Sequence, residues 1–275
     1  MNISNFTQNY ERDLRMKNYA VNTIENYVCQ IKMFLNFFSK KDSPKHISSD
    51  EIKDYLLTAK EVNSQRHMHS AIKLFYKLTV HQPKKFAFIE YARKDRKLPQ
   101  PLDASEVKKI IDNCTNIKHK AIIYLLYGCG LRVGEVISLK ITDIDSQKMI
   151  INIIAAKGAK DRQVMLPIET LLLLREYFKQ YNPKEYLFNG QFGPQYSERS
   201  INQFLKKYAE LAGIRKNIHA HLLRHSFATH ALENGTDIRL IQKLLGHSSP
   251  KTTEIYTHVS SQLISNIPSP ISYLS

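Results

Sequence analysis

A basic segment bounded by prolines divides this chain of 275 residues into two unequal parts. Pro83 lies near its start, Pro99 and Pro101 lie near its end, and Lys and Arg dominate the charged residues between them. Proline fixes its own φ and disfavours helix for the residue before it, so the segment predicts an extended linker, although a solvated loop would have the same composition. We therefore expect three parts: a domain over residues 1–82, a basic linker over 83–103 and a second domain over 104–275.

The first domain has the apolar spacing of a helical bundle. Apolar residues recur there at intervals of three and four, as in the series Ile24, Tyr27, Val28, Ile31, Phe34, Leu35 and Phe38. This spacing places them on one face of a helix. Ser48 and Asn63 precede two further apolar series and are residue types that commonly cap helices. The sequence predicts an all-helical first domain.

The second domain combines helices with one short β-rich stretch. Met149–Ile154 is rich in isoleucine and predicts a strand, Ala155–Asp161 contains a glycine and predicts a turn, and Arg162–Leu166 predicts the returning strand. A further strand near residues 143–145 has a weaker pattern. Helices are predicted near 104, 118–127, 168–180, 197–212, 221–233, 237–245 and 250–259. The predicted fold class is mainly α with a small antiparallel sheet, in two domains.

Charge and composition indicate the kind of partner. The chain has 40 Lys and Arg against 25 Asp and Glu, a formal net charge of +15, and each of the three predicted parts is positive. This excess favours a polyanion such as nucleic acid, with a ribosomal or membrane-surface protein as the alternative. A hydrophobic content of 43% argues for compact domains instead of a basic tail. The three cysteines are far apart, and neither a signal peptide nor a membrane span is recognised, so we expect a cytoplasmic protein.

A run of polar residues stands in the C-terminal stretch, which otherwise has the pattern of core helices. His221 and Arg224 are three residues apart and share a helix face, while His247 and Tyr256 follow within about forty residues. Such groups are costly to bury without partners, and together they fit an anionic phosphoryl centre and its nucleophile. The neighbouring His219, His225 and His230 are expected to be ordinary core histidines.

Two residues upstream fit the same chemistry. Arg132 follows a glycine-rich turn, and Glu135 lies one helical turn later, where it can orient the guanidinium; a surface ion pair is the alternative. Lys157 lies in the predicted hairpin turn, where it could protonate a leaving oxygen or merely aid solubility. His221 and His225 have the spacing of a zinc helix but lack the glutamate of the H-E-x-x-H motif, so no metal is expected.

This order of residues resembles the tyrosine recombinases of the phage integrase family, and the Xer type most closely. The resemblance covers nearly the whole chain and is most specific in residues 221–230, 244–248 and 256–259, while residues 20–38 resemble the helical, SAM-like core-binding domain of the family. It implies that Tyr256 attacks the scissile phosphate to form a 3′-phosphotyrosyl bond, which Arg132 and Arg224 stabilise. His221 would assist proton transfer, and His247 would bond the phosphate.

The resemblance also implies further site residues and partners. Glu135 would support the arginines, and Lys157 would be the general acid, although Ala156 stands where the family often has glycine and leaves Lys160 as an alternative. The expected partner is double-stranded DNA with an inverted-repeat core site, bound by a monomer or dimer that forms a homotetramer in the synapse, with no cofactor, ATP or membrane. The residues expected to contact DNA are Lys84, Lys85, Arg93, Lys94, Arg96, Lys97, Lys160 and Arg162.

Several alternatives remain open from the sequence. A type IB topoisomerase-like enzyme would use the same residues, and a DNA-binding regulator could retain the site unused. A metal nuclease that binds its metal through the histidines would lose its activity in EDTA. The biological role could be dimer resolution, mobile-element integration or inversion. Residues 264–274 resemble the family segment that docks into a neighbouring protomer.

Overall fold

A computed structural model of the chain describes residues 1–91, 100–154, 161–190, 193–246 and Thr253. The chain divides into two compact units, residues 1–96 and 97–275. Within the described residues the fold is mainly helical with one small antiparallel sheet, as predicted. No helix in these ranges is both long and apolar enough to cross a membrane.

The N-terminal unit is helical in its described part. The predicted cap at Ser48 is present, whereas Asn63 lies inside the helix that it is predicted to cap, because that helix begins at Val62. The Ser48 side chain accepts from the backbone of Glu51, and the Glu51 carboxylate accepts from the Ser48 N–H, which forms a capping box. The helices here are α1 (Ile3–Met16), α2 (Val21–Phe37), α3 (Ser49–Leu57) and α4 (Val62–Leu78).

The core of this unit is rich in aromatic residues. Phe34 and Phe75 are fully buried, and each makes edge-to-face contacts with neighbouring rings. The hydroxyl groups of two fully buried tyrosines have partners, since Tyr10 donates to the Ala71 carbonyl at 3.0 Å and Tyr76 donates to the Pro44 carbonyl at 2.8 Å. Because both hydroxyl groups are hydrogen-bonded, burying these two tyrosines avoids the free-energy cost of an unsatisfied polar group.

The first part of the predicted linker is folded onto the N-terminal unit. Pro83–Phe86 form a short 3₁₀ helix, and Phe86 and Ile89 are buried in the aromatic core. The expected extended form is therefore wrong for this stretch, because its apolar residues pack while its lysines remain outside the core. Residues 92–99 lie outside the described ranges.

The described part of the C-terminal unit contains helices and a small sheet that share one hydrophobic core. At the start of α5, the Glu106 carboxylate accepts from the Asp103 N–H at 2.8 Å, as in a capping box. The predicted helix over 118–127 ends earlier, since the chain widens into a π-helical turn at Tyr124–Gly128. The α-helices of its described part are α5 (Ala104–Asp112), α6 (Ile117–Ile123), α7 (Val133–Ser138), α8 (Ile168–Tyr181), α9 (Glu198–Leu211), α10 (Ala220–Glu233) and α11 (Ile238–Leu245).

Within the described residues, the sheet has three antiparallel strands in chain order. They are β1 (Ile144–Asp145), β2 (Ile150–Ile153) and β3 (Arg162–Met165), with Ile151 opposite Val164 and Ile153 opposite Arg162. Ile151, Ile153 and Val164 are buried against the helices, so one face of the sheet belongs to the core. The predicted strands are confirmed, including the weak one. The turn residues 155–160 and, apart from Thr253, the predicted helix 250–259 lie outside the described ranges.

Candidate active site

The site forms where the turn before α7, the strand β3, the helix α10 and the end of α11 meet. The turn depends on Gly130, whose φ of +65° belongs to the left-handed region that favours glycine. A Cβ at this position would lie 2.5 Å from a ring atom of Phe227 on α10. Gly130 therefore permits both the turn and the close approach of the two segments.

Arg224 is buried within this junction. Its side chain is 1% exposed, and it donates from Nη1 to the Gly130 carbonyl at 2.7 Å and from Nη2 to the Leu245 carbonyl. A buried guanidinium requires such acceptors, because an unpaired buried charge is very costly. The turn and the end of α11 thus supply the acceptors that hold Arg224.

Arg132 lies at the start of α7 with a more open side chain, 39% exposed. Its Nη1 donates to Glu135 Oε1 at 2.9 Å, and its Nη2 donates to the Gly246 carbonyl at 3.1 Å. The backbone N–H of Arg132 donates to Glu135 Oε2 at 2.7 Å, which caps the helix. The predicted orientation of Arg132 by Glu135 is present in the structure. The pair belongs to a network with other charged groups, so it is not an isolated surface ion pair.

Glu135 is the acidic centre of the network. Both of its oxygens accept from Arg162, at 2.7 Å each, and Arg224 Nη1 lies 3.8 Å from Oε2. Burial by itself would raise the pKa of Glu135, but the bonds and charge of Arg162 and Arg132 outweigh it and lower the pKa to about 2. The carboxylate is therefore ionised at neutral pH.

Arg162 is a member of this network that sequence reasoning placed elsewhere. It was expected to contact DNA, yet its side chain is only 9% exposed, and Nε donates to the Leu244 carbonyl at 2.7 Å. The strand pattern contained the signal, since Arg162 is two residues before the buried Val164 and therefore lies on the same face of β3. The guanidinium thus points into the unit, toward Glu135.

Three arginines consequently bind three consecutive carbonyls at the end of α11. Arg162 binds Leu244, Arg224 binds Leu245 and Arg132 binds Gly246. These carbonyls form the negative end of the helix dipole, which favours nearby cations. Gly246 ends the helix with a φ of +60°, and His247 follows it in the sequence.

His221 lies on the exposed side of α10, one helical turn before Arg224. Its ring contacts the ring of His225 edge-to-face, with centroids 4.4 Å apart. Desolvation by neighbouring atoms and the positive charges of Arg224 and Arg132 lower the pKa of His221. The neutral imidazole is therefore favoured at pH 7, which suits a group that accepts a proton.

The other histidines near the site have ordinary partners. His230 is partly buried and binds the Tyr127 hydroxyl at 2.8 Å, while His219 binds the Asn217 carbonyl at 3.0 Å. His225 is partly buried beside His221. These contacts agree with the expectation that the three are structural.

The remaining predicted residues have different placements. Lys84 is exposed, whereas Lys85 donates to the carbonyls of Lys45 and Ile47 and lies over the Tyr76 ring. The predicted residues outside the described ranges are Arg93, Lys94, Arg96, Lys97, Lys157, Lys160, His247 and Tyr256. Of the predicted catalytic residues, the structure therefore brings together Arg132, Arg224 and His221, with the predicted supporting residue Glu135 beside the two arginines.

Comparison with known proteins identifies the class of this chain. The profile of the phage integrase family matches residues 100–262, and that of the phage integrase N-terminal SAM-like domain matches residues 6–85. A putative integrase/recombinase y4qK of Sinorhizobium fredii is 34% identical over 97% of this chain and 88% of its own length. The tyrosine recombinase XerD of Oceanobacillus iheyensis is 34% identical over 87% of this chain and 88% of its own length.

A solved structure agrees in both sequence and fold. XerH site-specific recombinase, bound to difH substrate in a pre-cleavage complex, is 25% identical and has a TM-score of 0.71, covering 90% of this chain and 79% of that one. This chain belongs to the phage integrase family, the tyrosine recombinases. Within the family it is of the Xer type, and it carries out site-specific recombination of DNA through a covalent tyrosine intermediate.

Proposed function

We propose that this chain cuts and rejoins double-stranded DNA at an inverted-repeat core site, with Tyr256 as the nucleophile. The observation that supports these roles best is the convergence of Arg132 and Arg224 beside Glu135, which gives two guanidiniums directed to one region. Such a pair can bind the two non-bridging oxygens of one phosphate. The proposal assigns the scissile phosphate to this region.

In the proposed cleavage step, Tyr256 Oη attacks the phosphorus and the bond from phosphorus to the 5′ oxygen breaks. The phenol proton passes toward the neutral imidazole of His221, and Lys157 donates a proton to the departing 5′ oxygen. The two arginines, with His247, stabilise the negative charge that develops on the phosphoryl oxygens. The product is a 3′-phosphotyrosyl bond and a free 5′ hydroxyl.

Rejoining is the same step in reverse with a 5′ hydroxyl from another strand. One phosphodiester bond is exchanged for another, so the bond energy is retained in the covalent intermediate and ATP is not required. The step also has no requirement for a metal ion, because the guanidiniums supply the positive charge at the phosphate. Glu135 keeps Arg132 in place without touching the substrate.

The three parts of the chain and its partners have proposed roles as well. We assign residues 1–82 to core DNA binding, 83–103 to the basic linker, of which 83–89 pack on the first domain, and 104–275 to catalysis. The exposed Lys84 and the linker residues Arg93, Lys94, Arg96 and Lys97 would lie beside the DNA backbone. The enzyme would be a monomer or dimer when free and a homotetramer on two core sites, in the cytoplasm. Residues 264–274 would dock into a neighbouring protomer.

A covalent-trapping experiment tests the central role of Tyr256. DNA attached covalently to the protein is first recovered from genomic DNA and sequenced, which defines a core site. A nicked suicide duplex of that site should then give a denaturant-resistant adduct with the wild type and none with Tyr256→Phe, in the presence of EDTA. Wild-type protein that binds the duplex but forms no adduct would favour a regulator, and loss of the adduct in EDTA would favour a metal nuclease.

A modified substrate separates Lys157 from Lys160 as general acid. Sulfur in place of the 5′ bridging oxygen leaves as a thiolate, whose conjugate acid has a pKa near 8.5, so it needs no proton donor. The slow cleavage expected of Lys157→Ala should return toward the wild-type rate on this substrate. Lys160→Ala is the matched control, and rescue of Lys160→Ala alone would assign the acid to Lys160.

A two-site substrate distinguishes recombination from topoisomerase activity. Recombination joins strands from two sites and gives products of new length, whereas a topoisomerase relaxes supercoils without exchanging strands. We expect exchanged products, which require two core sites. Relaxation without exchange on the same plasmid would support the topoisomerase alternative.

A further inference from the structure

Arg162 occupies a central place in the arginine network although no step of the proposed chemistry uses it. It is the first residue of β3, five residues after Lys157 in the sequence, and its guanidinium reaches Glu135 and the end of α11. Its side chain is nearly buried, and each of its three nitrogens donates a bond shorter than 3 Å. The residue therefore connects three segments of the site.

The bonds of Arg162 fill the acceptor capacity of Glu135. Oε1 accepts from Arg132 and Arg162 side chains, and Oε2 accepts from the Arg132 backbone and from Arg162. A carboxylate offers about four lone-pair sites, and these four donors occupy them. Arg224 Nη1 consequently stays 3.8 Å from Oε2, outside hydrogen-bond distance.

The net charge of the network also depends on Arg162. Three guanidiniums surround one carboxylate, so the group retains a positive charge toward an incoming phosphate. Without Arg162, two guanidiniums would share the carboxylate, and one side of Oε2 would be open to Arg224. The attraction of a buried carboxylate is strong at short range, so Arg224 would move toward it and away from the phosphate.

Arg162 also supports the end of α11. Its Nε binds the Leu244 carbonyl, and a Cβ at Gly246 would lie 3.0 Å from Arg162 Cδ, so the side chain packs against the turn that ends the helix. The carbonyls of Leu245 and Gly246 in this turn are the acceptors of Arg224 and Arg132. Displacement of the turn would therefore move both catalytic arginines.

We propose that Arg162 is a positioning residue for strand cleavage: it holds Glu135 and the end of α11 so that Arg132 and Arg224 remain available to the scissile phosphate. The inference rests on the proposed function, in which these two arginines bind that phosphate. Arg162 itself does not contact DNA in this assignment, in contrast to the role expected for it from the sequence.

The test compares DNA affinity with the cleavage rate for Arg162→Met. Single-turnover cleavage of the suicide duplex at saturating protein should be slower by about 100-fold, the loss expected when catalytic groups shift by about 1 Å. The dissociation constant for the uncleaved duplex, measured in a Tyr256→Phe background, should be unchanged. Arg175→Met, which removes an exposed arginine on α8, is the matched control and should retain the wild-type rate and affinity.

A double variant separates positioning from a general structural role. If Glu135 captures Arg224 once Arg162 is absent, then Glu135→Gln combined with Arg162→Met should cleave about tenfold faster than Arg162→Met, a difference of about 1.4 kcal/mol in the activation free energy. A double variant as slow as or slower than the single variant would overturn the inference. Equal losses of affinity and rate in Arg162→Met would also overturn it and restore the DNA-contact role.

Folding and the proposed function are controlled separately. Far-UV circular dichroism checks each variant, and if Arg162→Met does not fold, Arg162→Lys with and without Glu135→Gln carries the same comparison, because lysine keeps the charge but cannot bind both oxygens in parallel. Wild-type adduct with a normal rate in the folded Arg162 variants would overturn the inference alone. Absence of any wild-type adduct would overturn the proposed function and the inference with it.

Discussion

Gly130→Ala should destabilise the C-terminal unit and slow cleavage at the same time. The residue has a φ of +65°, and an added Cβ would lie 2.5 and 2.6 Å from two atoms of the buried Phe227 ring. The left-handed conformation costs an alanine about 1–2 kcal/mol. Forcing the ring aside in a packed core costs about 1–3 kcal/mol more, so the free energy of unfolding should fall by about 2–5 kcal/mol.

Gly213→Ala provides the matched control. Gly213 follows α9 with a φ of +71°, and a Cβ there would meet none of the described atoms within 4 Å. The free energy of unfolding of this variant should fall only by the cost of the left-handed conformation, about 1–2 kcal/mol. The difference between the two variants measures the contact with Phe227.

The effect on cleavage follows from the carbonyl of Gly130, which accepts from Arg224 Nη1. A shift of the turn moves this acceptor, so the single-turnover cleavage rate of Gly130→Ala should fall while that of Gly213→Ala remains at the wild-type value. Stability is measured by urea unfolding followed by far-UV circular dichroism, since the chain contains no tryptophan. Equal losses of stability in the two variants would refute the steric argument.

Three further predictions concern ionisable groups. The pKa of Glu135 is lowered from 4.5 to about 2, so the stability that this group contributes is present above pH 4.5 and is lost as the pH falls toward 2; urea unfolding of Glu135→Gln should lack this part of the pH dependence. His119 stacks on Phe204 with centroids 4.0 Å apart, and burial, with Lys118 and Lys207, lowers its pKa from 6.5 to about 4. The protein should therefore lose stability as the pH falls from 6.5 to 4, and His119→Phe should reduce that loss; an unchanged slope would contradict the assignment. Lys84→Met should weaken DNA binding and reduce the slope of log affinity against log salt by about 1, whereas Lys85→Met should instead lower the unfolding free energy of the N-terminal unit, as measured by urea titration.

The helical pattern of the chain was accessible to sequence reasoning because it depends on nearby residues. The predicted cap at Ser48 involves a side chain and a backbone group three residues apart, and it is present in the structure. The pair of Arg132 and Glu135 is local in the same sense. The π-helical turn at Tyr124–Gly128 was missed, because an apolar run does not distinguish one helical width from another.

The folded conformation of residues 83–89 could not be predicted from the composition of that stretch. Prolines and lysines made it resemble a solvated linker, but Phe86 and Ile89 are buried in the N-terminal core, and Lys85 binds two carbonyls of that unit. Composition reports the average preference of a segment for water. It does not report which apolar side chains find a complementary surface elsewhere in the chain.

The sequence by itself determined the family, the order of the elements and the residue types of the site, because motifs and helical periodicity are properties of short stretches. Only the tertiary structure decided how the arginines are held. Arg162 and Glu135 are 27 positions apart, and Arg132 and Gly246 are 114 apart, so no local pattern links them. Folding buries these groups together, and a buried charge requires a partner. Arg162 is therefore paired with Glu135 inside the unit and does not lie on a surface that could contact DNA.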